Sequence, residues 1–193
     1  MKVENFKLYK PYGFLSQFLN NQTKRKNKKL LGELHEFPPG SMAIGRLDED
    51  SEGLLFITTS GNISEEVRSK KVEKEYYVQV DGSIDPQAIE RLKDGVEISV
   101  NGQKYLTLPC RAYLLKTPPA LPVRLKKVRD DRHGLSSWIS ITLVEGKFRQ
   151  IRKMTAVVGY PTLRLVRVRI GQETIEGFSP GEVREVSEFL LDI

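Results

Sequence analysis

The sequence contains few of the residues that form disulfides and metal sites. Its 193 residues include one cysteine, Cys110, and two histidines, His35 and His133. One cysteine cannot form an internal disulfide or a cysteine cluster, and the two histidines lie far apart, so no metal-ligand spacing is present. No apolar run is long enough to cross a bilayer, and residues 1–5 lack the apolar core of a signal peptide. We therefore expect a cytoplasmic protein with no bound metal and no membrane contact.

Motifs for nucleotide binding and for serine hydrolysis are also missing. Gly13, Gly53 and Gly61 occur singly, without the Gly-Lys-Ser/Thr spacing of a phosphate-binding loop. No nucleophile elbow surrounds any serine. The sequence thus predicts no bound cofactor and excludes the common hydrolase chemistries.

Positive charge is moderate in amount but uneven along the chain. There are 31 Lys and Arg against 25 Asp and Glu, a formal net charge of +6. Basic residues cluster at 24–29 and 124–129, and residues 146–172 contain no acidic side chain. A solvated charged face would explain any one of these segments. All three together favour a polyanionic partner.

Hydrophobic patterning predicts an α+β fold, with a mainly antiparallel central sheet flanked by a few helices and loops. We treat residues 1–193 as a single catalytic domain of two fused α+β halves. Strands are expected at residues 6–9, 54–58, 74–80, 96–100, 138–143 and 163–170, the last with one basic face. Helices are expected from Ser64, from Asp85 to Gly95, and over residues 150–158. Residues 20–29 and 115–134 are expected to be loops.

The strongest candidate for chemistry is the segment 45–59, Gly-Arg-Leu-Asp-Glu-Asp-Ser-Glu-Gly-Leu-Leu-Phe-Ile-Thr-Thr. It is a carboxylate-bearing loop that leads directly into a buried strand, which would fix one end of the loop rigidly. Ser51 and Gly53 would allow a close approach to that strand. An ordinary acidic surface loop is the alternative that the residues alone leave open.

These fifteen residues resemble, position for position, the active-site signature of the RsuA-type bacterial rRNA pseudouridine synthases. Further similarity to that family follows in chain order at residues 6–13, 74–78, 145–154, 163–171 and 180–186. The resemblance implies the pseudouridine synthase fold, a monomer, no cofactor and a ribosomal RNA partner. The N-terminal S4 RNA-binding domain of many members has no counterpart before Phe6. We therefore expect greatest similarity to the RluE branch, which acts on large-subunit rRNA.

The resemblance also assigns roles to individual residues. It implies that Asp48 is the essential catalytic carboxylate, that Arg152 is the cation that favours its ionised form, and that Tyr76 lies against the flipped uracil. Phosphate contact is the alternative for Arg152, and core packing for Tyr76, although Tyr77 on the opposite strand face suits packing better. Residues expected to contact RNA are Arg46, Lys147, Arg149, Lys153, Arg164 and Arg167. Trp138 and Phe148 are expected to belong to the core.

Two other classes of function remain to be separated from catalysis. A non-catalytic rRNA-binding protein could keep the same fold, but it would not need Asp48, Tyr76 and Arg152 together. A protein–protein interaction module would have no use for the acid-free segment 146–172.

Overall fold

The computed structural model describes residues 2–19, 27–69, 72–124, 126–128 and 134–191. The strands are β1 (Asn5–Lys10), β2 (Met42–Ile44), β3 (Glu52–Thr58), β4 (Lys74–Asp81), β5 (Glu97–Val100), β6 (Gln103–Leu106), β7 (Arg111–Leu114), β8 (Ser136–Leu143), β9 (Thr162–Ile170), β10 (Glu173–Thr174) and β11 (Val183–Val186). The helices are α1 (Gly61–Ser69), α2 (Pro86–Asp94) and α3 (Gln150–Val157), with a 3-10 turn at Leu31–Glu33. Residues 24–26 of the first basic segment lie outside the described ranges, and so do residues 125 and 129 of the second. Residues 130–133 of the predicted loop lie outside them as well.

The chain forms two compact units. The first comprises Met1–Val72 with Arg167–Ile193, and the second comprises Glu73–Val166. Each unit combines strands with helices, and the strand pairs β1–β11, β1–β3, β2–β3, β4–β8, β7–β8 and β5–β6 are all antiparallel. The predicted α+β class with a mainly antiparallel sheet is confirmed.

The first unit is built around strands β1 and β3. The strand order is β11, β1, β3 and β9, with β2 also paired to β3 and β10 to β9. Every residue of β3 is buried, as the apolar run Leu54 to Ile57 predicts. Side chains from several elements share this core, namely Phe6, Leu8, Leu31, Leu55 and Ile57.

The second unit contains residues 162–166 of β9 followed in strand order by β4, β8 and β7, together with α2, α3 and the β5–β6 hairpin, whereas residues 167–170 of β9 belong to the first unit. Helix α2 begins where the sequence predicts, because the Asp85 carboxylate accepts a hydrogen bond of 2.8 Å from the Ala88 amide. Asn101 and Gly102 both have positive φ, at 52° and 80°, as a two-residue hairpin turn between β5 and β6 requires. Within the described residues, no helix is both long and apolar enough to cross a membrane.

Two local predictions are wrong. Helix α1 begins at Gly61 rather than Ser64, because the Ser60 hydroxyl accepts from the Ile63 amide at 3.4 Å and caps the helix three residues earlier. Strand β9 has no single basic face. Side chains alternate along a strand, so Arg164 points to the opposite face from Arg167 and Arg169. Both Arg164 and Arg167 are buried, at 8% and 3% exposure.

Gly53, the second residue of β3, allows β3 and β9 to approach closely within the first unit. A Cβ atom there would lie 2.2 Å from the carbonyl oxygen of Arg167, and the φ of Gly53 is +109°. The Arg167 side chain strengthens the contact, since its Nε donates to the Leu54 carbonyl at 2.7 Å. Only glycine fits this position without moving one backbone past the other.

We predict that Gly53→Ala lowers the free energy of unfolding by about 3 kcal/mol or more, because it combines a backbone collision with an unfavourable φ. Urea titration followed by circular dichroism measures the change. Gly61→Ala is the matched control: Gly61 follows the far end of the same strand, its φ is not positive, and a Cβ atom added there would meet nothing within 4 Å. Equal stability of the two variants would contradict the close approach of the strands.

Candidate active-site loop

Asp48 lies in a short loop of the first unit, between strands β2 and β3. These two strands pair directly, with Ile44 opposite Phe56, so both ends of the loop belong to one ladder. Asp48 is half-buried, whereas Arg46 is exposed. The amide of Ser51 donates to the carbonyl of Asp48 at 3.0 Å and closes a tight turn that begins at Asp48. The loop is therefore short, turned and tethered at both ends.

Ser16 fixes the backbone immediately before Asp48. Its hydroxyl donates to the Leu47 carbonyl at 2.7 Å and accepts from the Leu47 amide at 2.9 Å. The Ser16 side chain is buried, at 7% exposure, so water competes little for these bonds. One hydroxyl thus satisfies both backbone groups of the residue that precedes the candidate catalytic carboxylate.

The backbone after Asp48 is held from the other side. The amide of Gly13 donates to the Glu49 carbonyl at 2.8 Å. The Glu49 carboxylate accepts from the Lys28 ammonium at 2.5 and 2.6 Å, and the Lys28 side chain is only 12% exposed. Lys28 belongs to the basic segment 24–29 that the sequence assigns to a polyanion. The structure instead gives this lysine an internal ion pair to the loop.

Lys10, at the end of β1, supports the same loop from within the unit. The residue has 0% exposure, and its Nζ donates to the carbonyls of Ser51 and Pro11 at 2.8 and 3.0 Å. Burial lowers the pKa of Lys10 from 10.5 to about 7, although the negative charges of Glu52, Asp50, Asp48 and Glu49 act against that decrease. A neutral lysine amine has two N–H donors, and both have a carbonyl acceptor here.

Three side chains that the sequence patterns did not single out therefore hold the loop, namely Lys10, Ser16 and Lys28. Lys10 carries a sequence signal, because it lies in the segment 6–13 that resembles the family. Ser16 carries none, and the basic segment that contains Lys28 predicted a polyanionic partner rather than a contact with the loop. Their contacts span 31 and 21 residues along the chain.

Tyr76 and Arg152 belong to the second unit. Tyr76 lies on β4 opposite Ile141 of β8, on the buried face of the strand, and is 9% exposed. Tyr77 lies on the other face and is half-buried. Its pKa is raised by burial and by the charge of Glu75. Alternation puts the two tyrosines on opposite faces as predicted, but Tyr76 is the more buried one. Arg152 is half-buried on α3.

The residues predicted to contact RNA divide into two groups. Lys147 is exposed, and Arg149 and Lys153 are half-buried, around the start of α3. By contrast, buried Arg164 donates to the Pro122 carbonyl at 2.8 Å, and Arg167 holds the Leu54 carbonyl. The RNA surface that we propose for this chain therefore does not include Arg164 or Arg167.

The expectation that Phe148 belongs to the core is wrong. Phe148 is 66% exposed, in the turn that precedes α3. Trp138 of β8 is half-buried, at the less buried end of its strand. Among the described residues, no group of three or more His, Cys, Asp or Glu side chains could hold a metal ion.

We predict that the pH dependence of stability contains a contribution from Lys10. Between about pH 7 and 10.5 the unfolded chain binds more protons at this residue than the folded chain, so stability rises with pH. The slope is at most about 1.4 kcal/mol per pH unit, and Lys10→Met should remove it. Urea unfolding of both proteins across this range measures the difference. Parallel pH profiles would show that Lys10 does not titrate in this way.

Comparison with known proteins agrees with the signature around Asp48. The family model for RNA pseudouridylate synthases matches residues 6–157. The ribosomal large subunit pseudouridine synthase E of Xanthomonas campestris pv. campestris is 41% identical over 184 residues, which cover 92% of this chain and 92% of that protein. The enzyme of the same name from Vibrio vulnificus is 38% identical over 182 residues, 92% of this chain and 73% of that protein.

The fold agrees as well. The crystal structure of a pseudouridylate synthase superposes with a TM-score of 0.74, over 96% of this chain and 71% of that one, at 23% sequence identity. The sequence match spans the Asp48 loop, strand β4 and helix α3. The chain belongs to the RNA pseudouridylate synthase family.

Proposed function

We propose that this enzyme converts a uridine of large-subunit ribosomal RNA to pseudouridine, with Asp48 as the catalytic carboxylate. The observation that carries the assignment to Asp48 is the anchoring of its loop by Ser16, Gly13 and Lys10. A carboxylate that must meet one carbon or one proton of a sugar gains rate from such fixed placement. The ribosomal substrate is supported by the names of the relatives from Xanthomonas and Vibrio.

The reaction requires a carboxylate, but it transfers no group and no electrons to or from a second substrate. The N1–C1′ bond breaks, the uracil rotates, and C5 joins C1′. The C5 proton leaves to solvent and N1 acquires a proton, so atoms and electrons balance without a cofactor. Asp48 can attack C1′ and form a covalent ester-like intermediate, or it can remove the C2′ proton to give a glycal. Either route begins from the ionised carboxylate.

The remaining roles follow the resemblance residue by residue. Arg152 supplies the positive charge that favours ionised Asp48, and Tyr76 stacks on the uracil and assists proton transfer at C5. A target base in folded RNA has to leave its stack before any side chain can reach C1′. Exposed Arg46 either fills the space that the target base leaves in the RNA stack or binds the adjacent RNA backbone. Lys147, Arg149 and Lys153 contact phosphates.

We predict that Asp48→Asn lowers the single-turnover rate by about a thousandfold or more, because the amide keeps the shape of the carboxylate but can neither attack C1′ nor accept a proton. Tritium release from large-subunit rRNA carrying C5-tritiated uridine measures the rate. Circular dichroism and filter binding should show an intact fold and largely retained affinity.

Asp50→Asn is the matched control for that experiment. Asp50 shares the loop, the charge and the half-buried position of Asp48. Its variant should react at nearly the wild-type rate. Equal loss in both variants, or appreciable tritium release by Asp48→Asn, would favour a passive RNA-binding protein instead.

We predict that Tyr76→Phe slows the chemical step by about a hundredfold, because the ring remains for stacking while the hydroxyl for proton transfer is lost. RNA affinity should change little. Tyr77→Phe, altered on the opposite face of β4, serves as the control and should keep its activity. An unchanged single-turnover rate for Tyr76→Phe would leave Tyr76 with stacking alone.

A further inference from the structure

The exposed ring of Phe148 is held on a turn that hydrogen bonds make rigid. The Gln150 side chain accepts from the Lys147 amide at 2.9 Å and donates to the Glu145 carboxylate at 2.6 Å. The Gln150 amide in turn donates to the Lys147 carbonyl at 3.1 Å. Gln150 is buried, at 4% exposure. Phe148 therefore projects from a fixed backbone rather than from a mobile loop.

The residue after Phe148 has an unusual backbone conformation. Arg149, which precedes the first residue of α3, has φ +53° and ψ +35°, the left-handed region that costs free energy for a residue with a side chain. Among the described residues, the other non-glycine with positive φ is Asn101 in its hairpin turn. Such strain tends to mark functional positions. Here it accompanies a large apolar ring that faces solvent.

One lysine contacts this ring, and another immediately precedes Phe148 in the chain. The Lys153 Nζ lies 5.2 Å from the centroid of Phe148 and donates to the Ser99 carbonyl at 2.7 Å. The Lys147 Nζ lies 4.6 Å from the ring centroid of Tyr105. Both ammonium groups are thus positioned by contacts within the second unit, close to the turn that carries Phe148.

Glu145, which precedes the turn, is engaged by internal hydrogen bonds. The Glu145 carboxylate accepts hydrogen bonds from the Tyr105 hydroxyl, the Leu108 amide and Gln150, at 2.5, 2.9 and 2.6 Å. These three hydrogen bonds partly compensate the negative charge of Glu145. From residue 146 to residue 172 the sequence has no acidic side chain. The segment that carries Phe148 therefore presents positive charge.

We propose that Phe148 is a stacking platform for an unpaired base of the RNA substrate, with Lys147 and Lys153 contacting the phosphates beside that base. Single exposed apolar residues are common on protein surfaces, so exposure alone would not carry this. A rigid aromatic ring among lysines is the combination that single-stranded nucleic acid binds. Its cationic rim suits a polyanion better than a second copy of this positively charged chain.

This inference rests on the proposed function for the identity of the RNA, and it adds a contact that the catalytic roles do not include. A base that stacks here is not the target uridine, because the target uracil is assigned to Tyr76 on the buried face of β4, whereas Phe148 faces solvent. The platform would favour an RNA segment that is single-stranded next to the modified nucleotide. A continuous duplex, whose bases are already stacked, would gain nothing from it.

The test measures binding of a labelled oligouridylate of about twelve nucleotides by fluorescence anisotropy. Phe148→Ala should weaken binding by about 5- to 100-fold, and Phe148→Trp should bind at least as tightly as the wild type. Neither variant should bind differently to the duplex of the same strand with oligoadenylate. Leu135→Ala is the control, since Leu135 is 74% exposed in the same unit and lies far from the turn in sequence.

Salt dependence separates stacking from charge. Phe148→Ala should keep the wild-type slope of log affinity against log salt, whereas Lys147→Ala should reduce that slope by about 0.7, the value for one phosphate contact on a single strand. Wild-type affinity in Phe148→Ala would overturn the proposal. So would an equal loss in Leu135→Ala, or a shift of Phe148→Ala from dimer to monomer in sedimentation with unchanged oligouridylate binding.

The two proposals can fail independently. If the wild type forms pseudouridine in large-subunit rRNA and Phe148→Ala binds oligouridylate normally, the platform alone is refuted. If Phe148→Ala weakens binding to the single strand while the wild type forms no pseudouridine in that RNA, the platform stands and the proposed substrate is wrong.

Discussion

The geometry around Asp48 depends on a buried amine. Lys10 has no exposed surface, and its Nζ donates to two backbone carbonyls at the base of the loop. Burying a lysine is costly unless its donors are satisfied, so this position tolerates little rearrangement of the carbonyls that face it. The conformation of the loop therefore depends on the buried side chain of Lys10. Ser16 and Gly13 then fix the backbone on either side of Asp48 through separate hydrogen bonds, in which Lys10 takes no part.

A second constraint is the close approach of the backbones of strands β3 and β9. Gly53 has no side chain, and this lets the backbone of β3 approach that of β9 more closely than any Cβ would allow. Arg167 uses that proximity to donate to the Leu54 carbonyl. From sequence, an arginine on a strand of a basic protein is expected to face a polyanion. In this chain Arg167 instead joins β9 to β3. The basic side chains that we propose to contact RNA lie around the start of α3, namely Lys147, Arg149 and Lys153.

Local patterns predicted those parts of the fold whose causes are local. Buried strand β3, the Asp85 cap of α2 and the Asn101-Gly102 turn each follow from a few adjacent residues. Asp48 is proposed as the catalytic residue because its neighbours resemble a long family signature. Ser16 and Lys28 could not be found in this way, since each meets the loop only after the chain has folded back on itself. The solvent exposure of Phe148 was not predicted either, because an apolar ring beside a helix is expected to be buried, whereas Phe148 lies in the turn before α3.

Pairing of β1 with β11 has a consequence for the order in which the chain can fold during synthesis. The Asn5 side chain donates to the carbonyl of Ser187, which follows it by 182 residues. Contacts of such long range form slowly, and a nascent chain cannot form them until residues 183–187 have left the ribosome. The second unit is continuous in sequence and can be completed earlier. Nascent enzyme can therefore acquire the surface around Phe148 before the unit that carries Asp48 is closed, because that unit also needs residues 167–193.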